Sequence, residues 1–198
     1  LGWAVPMEKE NVDAEVAWRL DAFYRWVEDA DRLAGDFQRP QTSDPRVLAA
    51  ASLIYRILPP AVYSGEPVMA WLVLEGQRLW AEQGPCAALV GPLSYSAFIT
   101  GMLRQGYRSV YAALRHVLAV SGERGYEPET SQARFMFANN AGHWFEPLED
   151  CVQQLQRARE GTVQGGDLQN AGSTYVTISI PLLDCAPTLE MCAAETEA

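Results

Sequence analysis

Glycine and proline divide most of the chain at a regular interval. Gly84-Pro85, Gly125 to Pro128 and Gly166-Asp167 each open a helix, and Tyr107, Pro147 and Pro187 open the helices between them. Both series recur about every 40 residues, within the range of helical-hairpin repeats. An earlier pair, from Asp44 and Pro67, keeps the same rhythm. The spacing predicts an all-α fold, a tetratricopeptide-like α-solenoid of antiparallel helix pairs, over residues 43–198, preceded by a linker and amphipathic helix over 1–42.

The corner between Phe137 and Ala171 shows the local chemistry. His143 and Trp144 end one helix, and Pro147 suits the first position of the next, where a missing N–H costs nothing. Leu148, Cys151, Val152 and Leu155 then fall on one helical face, with charged and amide residues elsewhere. Gly165 or Gly166 can take the left-handed turn that ends this helix, and Asp167 can cap its successor. His143, Trp144, Pro147, Gly166 and Asp167 are thus expected to build a structural corner.

Along the rest of the chain, residues 1 to 12 carry no pattern. Val16, Leu20, Phe23, Tyr24 and Val27 predict a helix from Asp13 to near Gly35, its Trp18, Phe23, Tyr24 and Trp26 read as core or as docking surface. Asp44-Pro45 starts a helix that Pro59-Pro60 should stop near Leu58. Pro67 starts another, to about Glu82. No residue from Gln83 to Leu103 is charged, a stretch long enough to span a bilayer. Its prolines, glycines and hydroxyls favour instead one helix buried between neighbours and bent near Gly91-Pro92. Further helices are expected from Tyr107 and from Pro128 to Trp144. Thr174 to Ile180 alternates like a strand, yet Leu168, Ala171, Tyr175, Ile178, Leu182 and Cys185 keep helical spacing over a longer span. A helix kinked at Pro181 is the expectation, followed by a short one from Pro187 cut off by the end of the chain.

A hydrophobic content of 48% over 198 residues is enough for a core. The net charge of −10, from 25 acidic and 15 basic residues, leaves no basic stripe for nucleic acid. Cys86, Cys151, Cys185 and Cys192 are too scattered for a zinc knuckle or dithiol and read as buried free thiols, which suits a cytoplasmic location. With no initiator Met or apolar leader, the chain reads as part of a longer protein.

Ser43-Asp44-Pro45-Arg46-Val47-Leu48-Ala49-Ala50, Leu58-Pro59-Pro60-Ala61, His143-Trp144 with Pro147-Leu148, and Gly166-Asp167-Leu168 with Ala171 together resemble the helical middle region of large multi-sensor signalling kinases. The resemblance runs from about Leu33 to Glu190. It implies a tetratricopeptide-like stretch between a kinase-like domain with an AAA-type ATPase module and downstream GAF and histidine kinase domains. No ATP-binding, phosphoacceptor or kinase motif lies in these residues, so any catalysis so implied belongs to other parts of the parent.

No nucleophile, base and orienter can be assembled from the sequence, and His116 and His143 have no ligands at metal spacing, so no catalytic residue, cofactor or metal is expected. The expected function is a non-catalytic scaffold for protein–protein or interdomain contacts in a signalling kinase or ATPase, with a homodimer as an option. The alternative is a solenoid that senses a small effector in its concave groove. In either case the candidate groove residues, on the first helices of the pairs, are Tyr95, Phe98, Arg134, Asn139, Asn140 and Asn170.

Overall fold

The computed structural model describes residues 9–64 and 68–197, and among these it contains helices and no strand. In chain order the helices are α1 (Lys9–Glu28), α2 (Ala30–Gly35), α3 (Pro45–Ser64), α4 (Val68–Gln83), α5 (Ala87–Ser94), α6 (Ser96–Arg104), α7 (Tyr107–Glu123), α8 (Glu129–Asn140), α9 (Leu148–Gln164), α10 (Leu168–Cys185) and α11 (Leu189–Glu197). A 3₁₀ turn, Gly142–Trp144, links α8 to α9. The expected start at Pro67 lies outside the described residues.

Side-chain caps start helices where the sequence places them. Asp44 Oδ1 accepts from the Arg46 N–H at 2.8 Å, and Asp167 Oδ1 accepts from the Asn170 N–H at 3.1 Å. Each satisfies a donor that a helix start otherwise leaves open. Gly166, at φ +75°, turns the chain between α9 and α10. The segment from Thr174 to Ile180 is helical, because Ala171, Thr174, Ile178 and Leu182 together bury one face.

Several boundaries differ from expectation. The first helix starts earlier, at Lys9, and breaks at Asp29, whose side chain caps α2 at the Arg32 N–H. Pro59-Pro60 does not stop α3, which runs on to Ser64. Proline's φ is itself helical, so its cost lies in lost hydrogen bonds and ring contacts; here burial of Leu58 and Ala61 on either side of the pair offsets it. The uncharged segment forms two helices rather than one, with Pro92 inside α5 and the break at Tyr95. The helix expected to reach Trp144 ends at Asn140. Pro147 sits just before α9, at ψ 145°, and its carbonyl accepts from the Asp150 and Cys151 N–H groups. Trp144 does not seal the corner: it is 56% exposed and lies against the rings of Tyr107 and His143. The corner is filled by buried Ala141 and Gly142, where a side chain on Gly142 would meet Cys151 Sγ and Phe137.

Most consecutive helices pack together, and some helices further apart in the chain also meet. α3 packs on α4 and α5, α4 on α5, α7 on α8, α8 on α9 and α9 on α10, while α3, α5 and α8 form a row of their own. α1 lies across α4 and α7, and its Leu20, Phe23 and Trp26 enter a core that continues through Trp80, Leu89 and Leu155 to Cys192. Close helix approach depends on glycine: a Cβ on Gly91 of α5 would sit 2.5 Å from the Tyr55 ring of α3, and one on Gly161 of α9 would overlap Ser131 of α8.

The uncharged segment supplies the centre of this core, with Cys86, Leu89, Val90, Leu93 and Ile99 all buried. Among the described residues α3 alone is long and apolar enough to cross a membrane by length and composition. The cysteines are free, with Cys86, Cys151 and Cys192 buried and Cys185 half-buried.

A buried carboxylate ties the N-terminal helices to the rest. Asp36, just after α2, has no exposed surface and accepts from Trp80 Nε1 at 2.8 Å and Arg39 Nη1 at 3.1 Å, with His116 Nε2 at 3.0 Å. Burial works against its charge, but these hydrogen bonds prevail and hold its pKa below the usual aspartate range. His116 is packed edge-on against Trp26 and Phe37, and Arg124 Nη2 donates to the carbonyls of Asp36 and Arg39.

Candidate functional site

A groove of about 310 Å³ runs between the C-terminal end of α3, the α5–α6 junction, α8 and α10. Its floor is apolar: Val62, Tyr95, Phe98, Phe135 and Met136. Asn139, Asn170, Ser173 and Thr177 supply amides and hydroxyls along the α8 and α10 sides, and Tyr63, 82% exposed, stands at the α3 edge. None of the residues lining it is an acid, a base or a histidine.

Local geometry explains this lining. Tyr95 occupies the break between α5 and α6, so its buried ring turns toward Phe98 at a centroid distance of 5.9 Å. On α10, Asn170, Ser173 and Thr177 recur three and four apart and so share a face. Asp167 holds Asn170 through both its backbone N–H and its side-chain amide, the latter at 2.6 Å. Asn139 and Thr177 make no side-chain hydrogen bond of their own among the described residues, so their polar atoms are available to a ligand.

Burial, reinforced by the nearby Tyr63 and Asp167 and opposed by a hydrogen bond from Gln132, pushes the Tyr95 phenol up to about 12. Burial beside Asp167 raises Tyr55 as well. Tyr95 therefore faces the groove protonated at neutral pH, as a hydrogen-bonding group rather than a base. Asn139 and Thr177 also form the wall of a second cavity, of about 210 Å³, between α8, α9 and α10. His143 and Cys151 line it. Desolvation lowers the pKa of His143 against an opposing hydrogen bond to the Ala138 carbonyl. Burial and the nearby Glu146 and Asp150 raise the Cys151 thiol to about 11, which leaves it protonated and poorly nucleophilic.

Of the six groove residues named from sequence, the structure brings Tyr95, Phe98, Asn139 and Asn170 together. Arg134 and Asn140 lie elsewhere. Arg134 borders a separate surface hollow with Glu127 and Arg157, and the Asn140 amide donates to the Met136 carbonyl of its own helix at 3.1 Å. Sequence reasoning missed Tyr63, Met136, Ser173 and Thr177. The polar stripe Asn170, Ser173, Thr177 at helical spacing was a usable signal for the α10 wall. Among the described residues no group of three or more histidines, cysteines or carboxylates is placed to hold a metal ion.

Compared with protein-family models, curated proteins and solved structures, the chain matches none of them.

Proposed function

We propose that this chain is a helical-repeat binding module of the tetratricopeptide-like kind, and that its groove takes a largely uncharged segment of a partner protein or of a neighbouring domain. The observation that carries this reading is the lining. An aromatic and thioether floor beside five amide and hydroxyl side chains, Asn139, Gln169, Asn170, Ser173 and Thr177, with no acid or base among them, matches an apolar peptide whose backbone needs hydrogen-bond partners. The order of helix packing, with α3, α5 and α8 in a row and α9 and α10 continuing from α8, supports a stack of helix pairs. By its resemblance to multi-sensor signalling kinases, such a module would couple an ATPase domain to sensor and kinase domains, itself contributing contacts rather than catalysis.

Selection from a displayed random-peptide library tests this reading. Binders should be rich in apolar residues, and Asn139→Ala should weaken them by about tenfold, the equivalent of about 1.4 kcal/mol. Tyr63→Ala should also weaken them without altering stability, since Tyr63 is mostly exposed. A groove of this volume also suits a small effector. Failure of peptide selection, together with a reproducible rise in melting temperature with one uncharged metabolite, would replace the peptide reading with that one.

A further inference from the structure

Residues of α1, α2 and α4 line a further, more highly charged cleft of about 330 Å³. Four arginines line it against two carboxylates, Asp29 and Glu82, in a chain whose net charge is −10. Two of them are fully committed. Arg19 pairs with Glu15 at 3.0 Å and with buried Glu75, and Arg78 holds Glu75 through contacts of 2.6 and 2.9 Å and also pairs with Glu82. Hydrogen bonds and charge from Arg78 and Arg19 outweigh burial and keep Glu75 ionised, so these two guanidiniums are fixed walls.

The other two have charge to spare. Arg25 makes no hydrogen bond or ion pair among the described residues. Arg32 donates to the Ala81 carbonyl at 2.8 Å and meets no carboxylate. Asp29, which also lines the cleft, turns its carboxylate to the Arg32 backbone N–H at 3.0 Å and pairs with neither guanidinium. Gln77, on α4, is 5% exposed, lines the cleft and makes no side-chain hydrogen bond among the described residues. Its amide is not sealed from solvent: it opens onto the cleft with its hydrogen-bonding capacity unused, the kind of group that a bound ligand engages. At the cleft edge Trp18 leaves 60% of its surface open, with the Arg19 guanidinium 5.9 Å from its ring.

We infer that this cleft is a binding site for a small aromatic oxyanion, its carboxylate or phosphate held by Arg25 and Arg32 with Gln77, and its flat face laid against Trp18. The site is separate from the groove of α8 and α10 and does not depend on what that groove binds. Guanidinium recognises both oxyanions through the same paired N–H geometry. A ring stacked on tryptophan adds contact that an inorganic ion lacks.

Titration of the full chain with phenyl phosphate, benzoate and inorganic phosphate, read by tryptophan fluorescence and calorimetry, tests the site. Trp18 and Trp26 both line the cleft and report on it directly. The expected result is saturable binding of phenyl phosphate or benzoate with a Kd below about 1 mM, and weaker binding of inorganic phosphate. The tighter of the two aromatic probes then identifies the oxyanion. Arg25→Gln should weaken binding about tenfold, as loss of a charge-assisted hydrogen bond does. Gln77→Met should weaken it comparably while leaving the melting temperature about unchanged, because Gln77 makes no hydrogen bond within the fold and methionine has a similar volume. Absence of saturable binding, or binding that both variants leave intact, overturns the assignment.

Discussion

Asp36 shows how much a single side chain can decide in this fold. It lies between the helix expected to end near Gly35 and the one that starts at Asp44, yet its carboxylate is wholly buried and joins residues from α4 and α7. Removing one member of such a buried charged network leaves the others without partners, so Asp36→Ala should destabilise the chain by about 3–5 kcal/mol in urea unfolding. The pH dependence has a definite sign. The folded-state pKa of Asp36 is depressed below the unfolded value of about 3.9, so its contribution is complete above that value and disappears as pH falls through the folded one. Glu75, held by Arg78 and Arg19, acts in the same sense. Acid titration of stability should therefore fall less steeply below about pH 4 in Asp36→Asn than in the parent chain; equal slopes would show that the network does not supply the acid sensitivity.

At the scale of the element, helix starts were more legible than helix ends. Asp44 and Asp167 mark starts in both sequence and structure because a cap is a local event, made by one side chain and N–H groups two or three residues on. The end of α3 is not local: Pro59-Pro60 fails to stop it because Leu58 and Ala61 reach a core built largely by other helices. The groove was partly legible for a related reason. Asn139 and Asn170 were assigned to the right helices, while Tyr95 falls in a break between two helices that the sequence reads as one and Phe98 on the second of them; facing depends on a rotation of about 100° per residue. Asn140 is one position past Asn139, and Arg134 one before Phe135; each turns away. Helix spacing itself rests on contacts no single sequence displays, such as Gly91 beneath the Tyr55 ring. Gly91→Ala should cost about 1–3 kcal/mol by overpacking. Combined with Tyr55→Ala it should cost clearly less than the sum of the two single changes, since the second removes the ring that the first strikes. Strict additivity in thermal or urea unfolding would mean that α3 and α5 do not meet there.

For the whole molecule, the unequal depth of burial along the row of helices sets how it should come apart. The N-terminal half is braced twice, by α1 lying across α4 and α7 and by the Asp36 network, and it holds the buried indoles Trp26, Trp71 and Trp80. The other end has one layer fewer: α10 exposes Leu168, Val176, Ile180 and Leu183, and α11 buries Cys192 while leaving Leu189 and Met191 open. Local opening is cheapest where few apolar contacts hold the backbone. Native-state hydrogen exchange should accordingly find the amides of α10 and α11 opening at lower free energy than those of α4 and α5. On heating, far-UV circular dichroism, which sees every helix, should begin to fall before tryptophan fluorescence, which is weighted toward the braced half. Coincident transitions with uniform protection would instead make the continuous core from Val12 to Cys192 the controlling feature, because a core that melts as one body leaves no end to open first.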